Sequence, residues 1–192
     1  MQHIAIFASG GGSNAKVLVE HFKNHPFIAV SLLLSNNPAS GIFRIGAENN
    51  IPTCHVTKQQ FHDIEFIREI LTKYHTDYIA LAGFLWLIPE SLIDLYPDKI
   101  INIHPSLLPK YGGKGMYGIH VHHAVFHNKD EVSGLTIHLV NQEYDKGKIL
   151  FQYETDVSNC SSAEDIAHEV LKFEHQFYAP VLEHYIITGN AF

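Results

Sequence analysis

Four short, predominantly apolar runs within the first 104 residues constrain the fold more than any other feature. They are 3–8 (His-Ile-Ala-Ile-Phe-Ala), 28–34 (Ile-Ala-Val-Ser-Leu-Leu-Leu), 78–82 (Tyr-Ile-Ala-Leu-Ala) and the run through Ile100-Ile101 to His104. Runs this short and this continuous mark strands covered on both faces. Between them lie stretches with helical spacing: 15–22, about 40–49, 59–74 with Phe61, Ile64, Ile67, Ile70 and Leu71 in step, and 89–95 opened by Pro89. A short strand is expected near 53–56. Strands alternating with helices predict an α/β fold, a Rossmann-like, doubly wound, mostly parallel sheet. The second half changes character. Its strands, 135–140 and 149–153, are joined by a short turn-rich link, so the sheet is expected to be mixed at the C-terminal edge. An amphipathic helix from about Ala163 to Tyr185 follows. With no internal repeat and no linker, residues 1–192 read as a single domain.

Composition narrows the partners. The net charge is −7 and no basic run is present, which argues against nucleic acid and membrane surfaces as ligands. Anionic ligands must then be held by local devices. Cys54 and Cys160 are far apart and belong to no CxxC pattern, so free thiols are expected. The chain enters its first strand without a leader-like segment, and no apolar run approaches a membrane span. A cytoplasmic protein is expected.

The first strand runs into Ser9-Gly10-Gly11-Gly12-Ser13-Asn14 and then a helix. Strand, glycine turn and helix aim backbone N–H groups and a positive dipole end at an anion. Gly10-x-Gly12-x-x-Ala15 fits a permissive dinucleotide fingerprint, but the next strand ends in Ser35-Asn36-Asn37, without the carboxylate that would hold a ribose. A phosphate monoester, with Ser13 and Asn14 adding side-chain donors, fits better; a merely tight turn is the plain alternative.

The second feature is Asn102-Ile103-His104-Pro105-Ser106-Leu107-Leu108-Pro109. Alternation puts Asn102 and His104 on one face of a strand, and Pro105 ends the ladder just after them. An amide and an imidazole thus share the carboxyl end of a strand, the rim where open α/β sheets bind ligands. Taken alone, this pair reads as easily as a strand end with a hydrogen-bonded core histidine.

Three segments together resemble the folate-dependent formyltransferases: the Ser9–Asn14 loop, the stretch from Asn102 to Tyr111, and Thr136-Ile137-His138-Leu139-Val140-Asn141-Gln142-Glu143-Tyr144-Asp145-Lys146-Gly147. The resemblance covers essentially the whole chain and implies the formyltransferase fold. The Gly-Ser-Asn loop narrows it to members that formylate glycinamide ribonucleotide in purine synthesis, with 10-formyltetrahydrofolate as co-substrate. It implies that Asn102 and His104 flank the formyl carbon with Asp145 beside His104. Asn102 would serve as oxyanion donor and His104, favoured as imidazolium by the carboxylate, as proton donor. It implies further that Gly12, Ser13 and Asn14 hold the substrate phosphate and Glu174 its ribose. Leu85, Trp86, Leu87 and Ile88 would line the folate pocket, and Asn141, Gln142, Glu143, Tyr144 and Asp145 would form a loop closing over the pterin. His138 would support that loop from behind. No metal is required, and the partners are small molecules, the protein being a monomer or homodimer.

Two departures stand out. Leu85-Trp86 lacks an arginine that the family often carries there to help hold the cofactor, and a second family arginine, which meets the cofactor's acidic tail, has no clear counterpart near 57–62, so Trp86 is expected to meet the pterin by packing rather than charge. Residues 111–118 are glycine-rich and longer than usual, reading equally as a mobile flap or a surface insertion. Three other functions compete. Formyl transfer to an amino sugar nucleotide shares the Asn-x-His…Asp set but not the phosphate loop. Transfer to an aminoacyl-tRNA goes with an additional C-terminal domain, for which a chain ending at Phe192 has no room. A nucleotide-dependent oxidoreductase lacks its ribose acid. His120, His123 and His127, with His122 adjacent, have a spacing that could hold zinc, but in a chain with fifteen histidines such a cluster weighs little toward a metal protein.

Overall fold

Ile4 to Ala8, in the first strand and just beyond it, are fully inaccessible to solvent, as a run apolar on both faces requires. The computed structural model describes residues 1–192, and the chain divides into two compact units, Met1–Ile101 and Asn102–Phe192.

In the first unit, β1 (Gln2–Phe7) pairs in parallel with β2 (Ile28–Ser35) on one side and β4 (Tyr78–Leu81) on the other. β3 (Thr53–His55) extends β2, also in parallel. The opening residues of β5 (Ile100–His104) follow β4, where Ile79 N–H donates to the Lys99 carbonyl at 2.9 Å. Helices α1 (Ser13–Phe22), α2 (Ile42–Asn49) and α5 (Glu90–Leu95) connect strands. α1 buries Ala15, Leu18, Val19 and Phe22, the i, i+3, i+4, i+7 stripe of a helix laid on a sheet. The parallel α/β order expected for this half is present.

The stretch 59–74 differs from the single helix its spacing predicts. It forms α3 (Lys58–His62) and α4 (Ile64–Lys73), broken at Asp63. Asp63 is extended (φ −84°, ψ 100°), and its carboxylate accepts from the N–H groups of Glu65 and Phe66. The side chain competes with the helix for its own backbone and wins as an N-cap. Asp63→Ala is expected to cost about 1 kcal/mol of stability in urea titration, and Asp63→Asn much less. An alanine variant as stable as the wild type would mean that the cap contributes nothing.

In the second unit, the closing residues of β5 neighbour β6 (Val132–Leu139), which pairs antiparallel with β7 (Ile149–Asp156) in the register Leu135–Tyr153 and Thr136–Gln152. The mixed edge is therefore present, with both strands longer than their apolar cores. β7 continues through Glu154, Thr155 and Asp156 because only one of its faces is covered, so its polar half carries no apolar signal. α6 (Ile119–His127) and β6 pack against α7 (Ala163–Thr188). Ser162 caps α7 through Asp165 N–H, and Gly189 in the left-handed region ends it. Ile166, Val170, Glu174, Tyr178, Val181 and Tyr185 form its buried stripe. No helix is long and apolar enough to cross a membrane.

Candidate active site

In the first unit, the turn after β1 is braced by the turn after β2. Ser9 Oγ donates to Asn36 Oδ1 (2.6 Å) and accepts from Leu85 N–H (3.0 Å). Asn37 Nδ2 donates to the Ser9 carbonyl, and Ser40 Oγ and Gly41 N–H both donate to the Gly10 carbonyl. Ser35-Asn36-Asn37 thus shapes the glycine loop instead of holding a ribose. Gly12 sits at φ +80° as the N-cap of α1, with no side-chain cap over the first turn. Gly10, Gly11 and Ser13 are exposed and Asn14 is half-buried, so the helix presents its N-terminus across an open loop.

The Leu85–Ile88 segment splits. Leu85 and Leu87 are exposed (48% and 40%), while Ile88 is core (4%). Trp86 is half-buried, its ring centroid 5.6 Å from that of Phe61 and 6.1 Å from that of Phe84. Trp86 therefore already has aromatic partners, and only part of its surface is left for a ligand.

In the second unit, the end of β5 brings Asn102 and His104 together with His138 and Asp145. The His104 side chain is 5% exposed, His138 2% and Asp145 11%. Asp145 Oδ1 lies 3.7 Å from His104 Nδ1 and 3.7 Å from His138 Nε2, and Oδ2 accepts from Gly113 N–H at 2.8 Å. His138 Nδ1 donates to the Leu139 carbonyl (2.8 Å), so in the neutral ring Nε2 is an acceptor. It receives Asn102 Nδ2 at 3.1 Å, which fixes the orientation of the Asn102 amide. His138 is thus more than a support for the loop behind it: it holds the amide that its position opposite β5 brings within reach.

The turn after His104 is also held from a distance. Thr136 Oγ1 donates to the Ser106 carbonyl (2.6 Å) and accepts from Leu108 N–H and Gln152 Nε2. Gln152 Nε2 also donates to the Leu108 carbonyl. These braces, like the role of His138, are set by strand register and leave no local signal in the sequence.

The charge states correct one expectation. Burial lowers the His104 pKa; Asp145 and the Tyr111 carbonyl raise it, His138 lowers it, and the net position is below the ordinary value. The ring is therefore biased toward the neutral form, not toward imidazolium, because desolvation outweighs the carboxylate. Burial alone would raise Asp145, but the His138 and His104 rings, in their protonated forms, and the Gly113 N–H outweigh it and hold the carboxyl below its usual range.

His122, 5% exposed on the inner side of α6, is pushed down to about 4 by burial first and then by His104 and His123, and its Nδ1 has no partner. Its folded pKa is below its unfolded one, so its neutral form contributes fully above about pH 6.5 and stability falls as pH drops from there toward 4. At about 1.4 kcal/mol for each pH unit, roughly 3 kcal/mol is at stake. His122→Gln is expected to lose that much less stability than wild type between pH 7 and pH 4 in urea titrations. Equal losses would exclude His122 as the source. His120, His123 and His127 are exposed, and no three His, Cys, Asp or Glu side chains are grouped to hold a metal ion.

The remaining expected positions are also defined. In the loop after β6, Asn141 Oδ1 accepts from Glu143 N–H, Asn141 Nδ2 donates to the Lys146 carbonyl, and Glu143 pairs with Lys146. Gln142 and Tyr144 are exposed. Glu174 is 8% exposed on α7, one turn before the fully buried Tyr178, whose phenol is raised by burial and then by Glu174. Cys54 and Cys160 are free thiols.

Comparison with known proteins adds three findings. A family model described as Formyl transferase matches residues 2–182. The chain is 40% identical over 185 residues to a chloroplastic phosphoribosylglycinamide formyltransferase of Arabidopsis thaliana, covering 93% of this chain but only 63% of that protein's length. It is 31% identical over 195 residues to the phosphoribosylglycinamide formyltransferase of Bacillus subtilis, covering 99% and 97%. Its fold superimposes on the crystal structure of phosphoribosylglycinamide formyltransferase from Anaplasma phagocytophilum with a TM-score of 0.84, 32% identity and coverage of 93% and 83%.

Proposed function

The chain belongs to the formyl transferase family, and on that premise we propose that it transfers a formyl group from 10-formyltetrahydrofolate to the amine of glycinamide ribonucleotide. The observation that carries this reading is the convergence of an oriented amide, Asn102, with a buried His104 and an ionised Asp145 at the end of one strand. The two curated relatives and the solved structure above, all named for this activity, support the choice of acceptor.

In this proposal, Gly12, Ser13 and Asn14 hold the ribonucleotide phosphate, Glu174 its ribose, Leu85 and Leu87 offer apolar surface to the folate, and the 141–145 loop meets the pterin. Asn102, His104 and Asp145 supply the chemistry. The co-substrate brings the formyl carbon. Asn102 gives one amide hydrogen to His138, which leaves the other for the oxygen that gains charge as the amine attacks. His104, neutral in the free enzyme, has one ring nitrogen able to take a proton from the attacking amine, and Asp145 stabilises the imidazolium that results. That proton is then available to the leaving folate nitrogen. The residues need no metal for this sequence of steps, and we place the enzyme, with its two free thiols, in the cytoplasm as a monomer or homodimer acting on small molecules.

The test is a formyl-transfer assay on the purified chain, with glycinamide ribonucleotide and an amino sugar nucleotide as alternative acceptors. Transfer to the ribonucleotide at least about a hundredfold faster than to the sugar is the expected result, since the groups that bind a terminal phosphate monoester stay unpaired with a sugar nucleotide, whose phosphates are all internal diesters. No transfer to the ribonucleotide, or faster transfer to the sugar, would overturn the assignment.

A further inference from the structure

Tyr111 has no part in the chemistry just described, yet its main chain touches the reacting histidine. His104 Nε2 lies 2.8 Å from the Tyr111 carbonyl. A carbonyl oxygen only accepts, so this bond requires the hydrogen on Nε2. In the neutral ring Nδ1 is then bare, and it is the nitrogen facing Asp145 Oδ1 at 3.7 Å. The backbone of Tyr111 thus decides which nitrogen of His104 can take a proton, a choice usually made by whatever the other nitrogen bonds.

The carbonyl is aimed by an unusual backbone. Tyr111 is at φ +57°, a left-handed conformation that a bulky residue keeps only when its surroundings enforce it. The phenol supplies the enforcement. Tyr111 Oη donates to Asp130 Oδ2 at 2.7 Å and accepts from Asn128 Nδ2 at 2.6 Å. Both partners are fixed to the end of α6: Asn128 N–H donates to the Ala124 carbonyl and Asp130 N–H to the Val125 carbonyl. Lys110 reaches the same Asp130 oxygen from the exposed side at 2.6 Å. The result is a strut from α6 through a phenol and one peptide unit to the ring of His104.

We propose that Tyr111, moored by Asp130, is a positioning residue for the transfer reaction, holding His104 with its hydrogen on Nε2 so that proton uptake occurs on Nδ1 beside Asp145. The catalytic half of this inference rests on the function proposed above; the tautomer half does not. The strut also gives the glycine-rich 111–118 stretch a fixed first residue, so any movement of that stretch starts beyond Tyr111.

The experiment is long-range proton–nitrogen correlation on protein labelled with nitrogen-15 in histidine, at a pH where His104 is neutral, with steady-state kinetics in parallel. His104→Gln identifies the signals, and wild type, Tyr111→Phe, Asp130→Asn and Lys110→Ala are compared after unfolding curves establish that each is folded. Wild type is expected to show a protonated Nε2 and a bare Nδ1. In Tyr111→Phe and Asp130→Asn the two nitrogen shifts should move toward each other. Their kcat should fall by about tenfold or more with both KM values nearly unchanged, since outer partners that orient a histidine typically count for 10–100-fold. Lys110→Ala, which removes only the solvent-screened arm of the cluster, should match wild type in both readouts. Unchanged shifts in Tyr111→Phe and Asp130→Asn would overturn the proposal, as would an activity loss confined to KM. Absence of transfer by the wild type would instead overturn the proposed function, and the nitrogen shifts would still decide the tautomer.

Discussion

His104→Ala is expected to lower kcat for formyl transfer by about 10²–10⁴-fold, the usual worth of a positioned acid–base group. Asn102→Ala should cost about 10²–10³-fold, as removal of one oxyanion donor does. Asp145→Asn should act through His104. It removes the negative charge that raises the ring's pKa, so the acidic limb of the kcat/KM profile should move to still lower pH as turnover falls. The double variant His104→Ala/Asp145→Asn should be scarcely worse than His104→Ala, because the two groups handle one proton and do not contribute independently. Near-normal turnover in any two of the single variants would sink the mechanism. So would fully multiplicative losses in the double variant, which would mean that carboxylate and ring act on different steps.

The neutral bias of His104 shows where reading the sequence stops. Strand alternation puts Asn102 and His104 on one face, because a period of two needs no tertiary information. Asp145, 41 residues downstream, is reached only through resemblance, and the same resemblance implied an imidazolium. Burial decided otherwise, and burial is a property of the assembled unit. His138 illustrates the same limit. The residue lies in a motif, but its hold on Asn102 depends on the register that sets β6 beside β5. Thr136 and Gln152 brace the turn at Ser106 and Leu108 over separations of 28 to 44 residues, which no local pattern encodes. The break at Asp63 is a different case. An aspartate just before a new apolar stretch is a recognised start signal, and the continuous helical spacing through 59–74 masked it. The first strand was legible throughout because a run covered on both faces has one plausible environment.

Gly41→Ala is expected to do to the phosphate loop what His104→Ala does to the chemistry. No motif includes Gly41, and its backbone is ordinary (φ −63°), so conformational freedom is not what the position demands. The demand is space. A Cβ at residue 41 would stand 2.1 Å from the Gly11 carbonyl oxygen and 2.8 Å from its carbon. Both are backbone atoms, so relief requires the loop itself to move. Gly12 makes the useful contrast. Its φ of +80° strains any L-residue, but an added Cβ meets side-chain carbons of Ile45 and Ile42 at 3.0 and 3.3 Å, and backbone, Ile42 N, only in ordinary contact at 3.5 Å. Gly41→Ala pushes directly on the peptide that Ser40 and Gly41 otherwise hold through Gly10. A shift of about 1 Å in a positioning element can cost about 10²-fold, so kcat/KM for glycinamide ribonucleotide should fall by that order. The dissociation constant of the reduced folate, measured by titration without ribonucleotide, should stay within about twofold, because none of the displaced atoms belongs to the residues assigned to it. A urea midpoint close to wild type would locate the damage in the loop. Folate affinity that collapsed while ribonucleotide kinetics held would show that the glycine loop serves the other substrate, and the assignment of Gly12, Ser13 and Asn14 to the phosphate would fall with it.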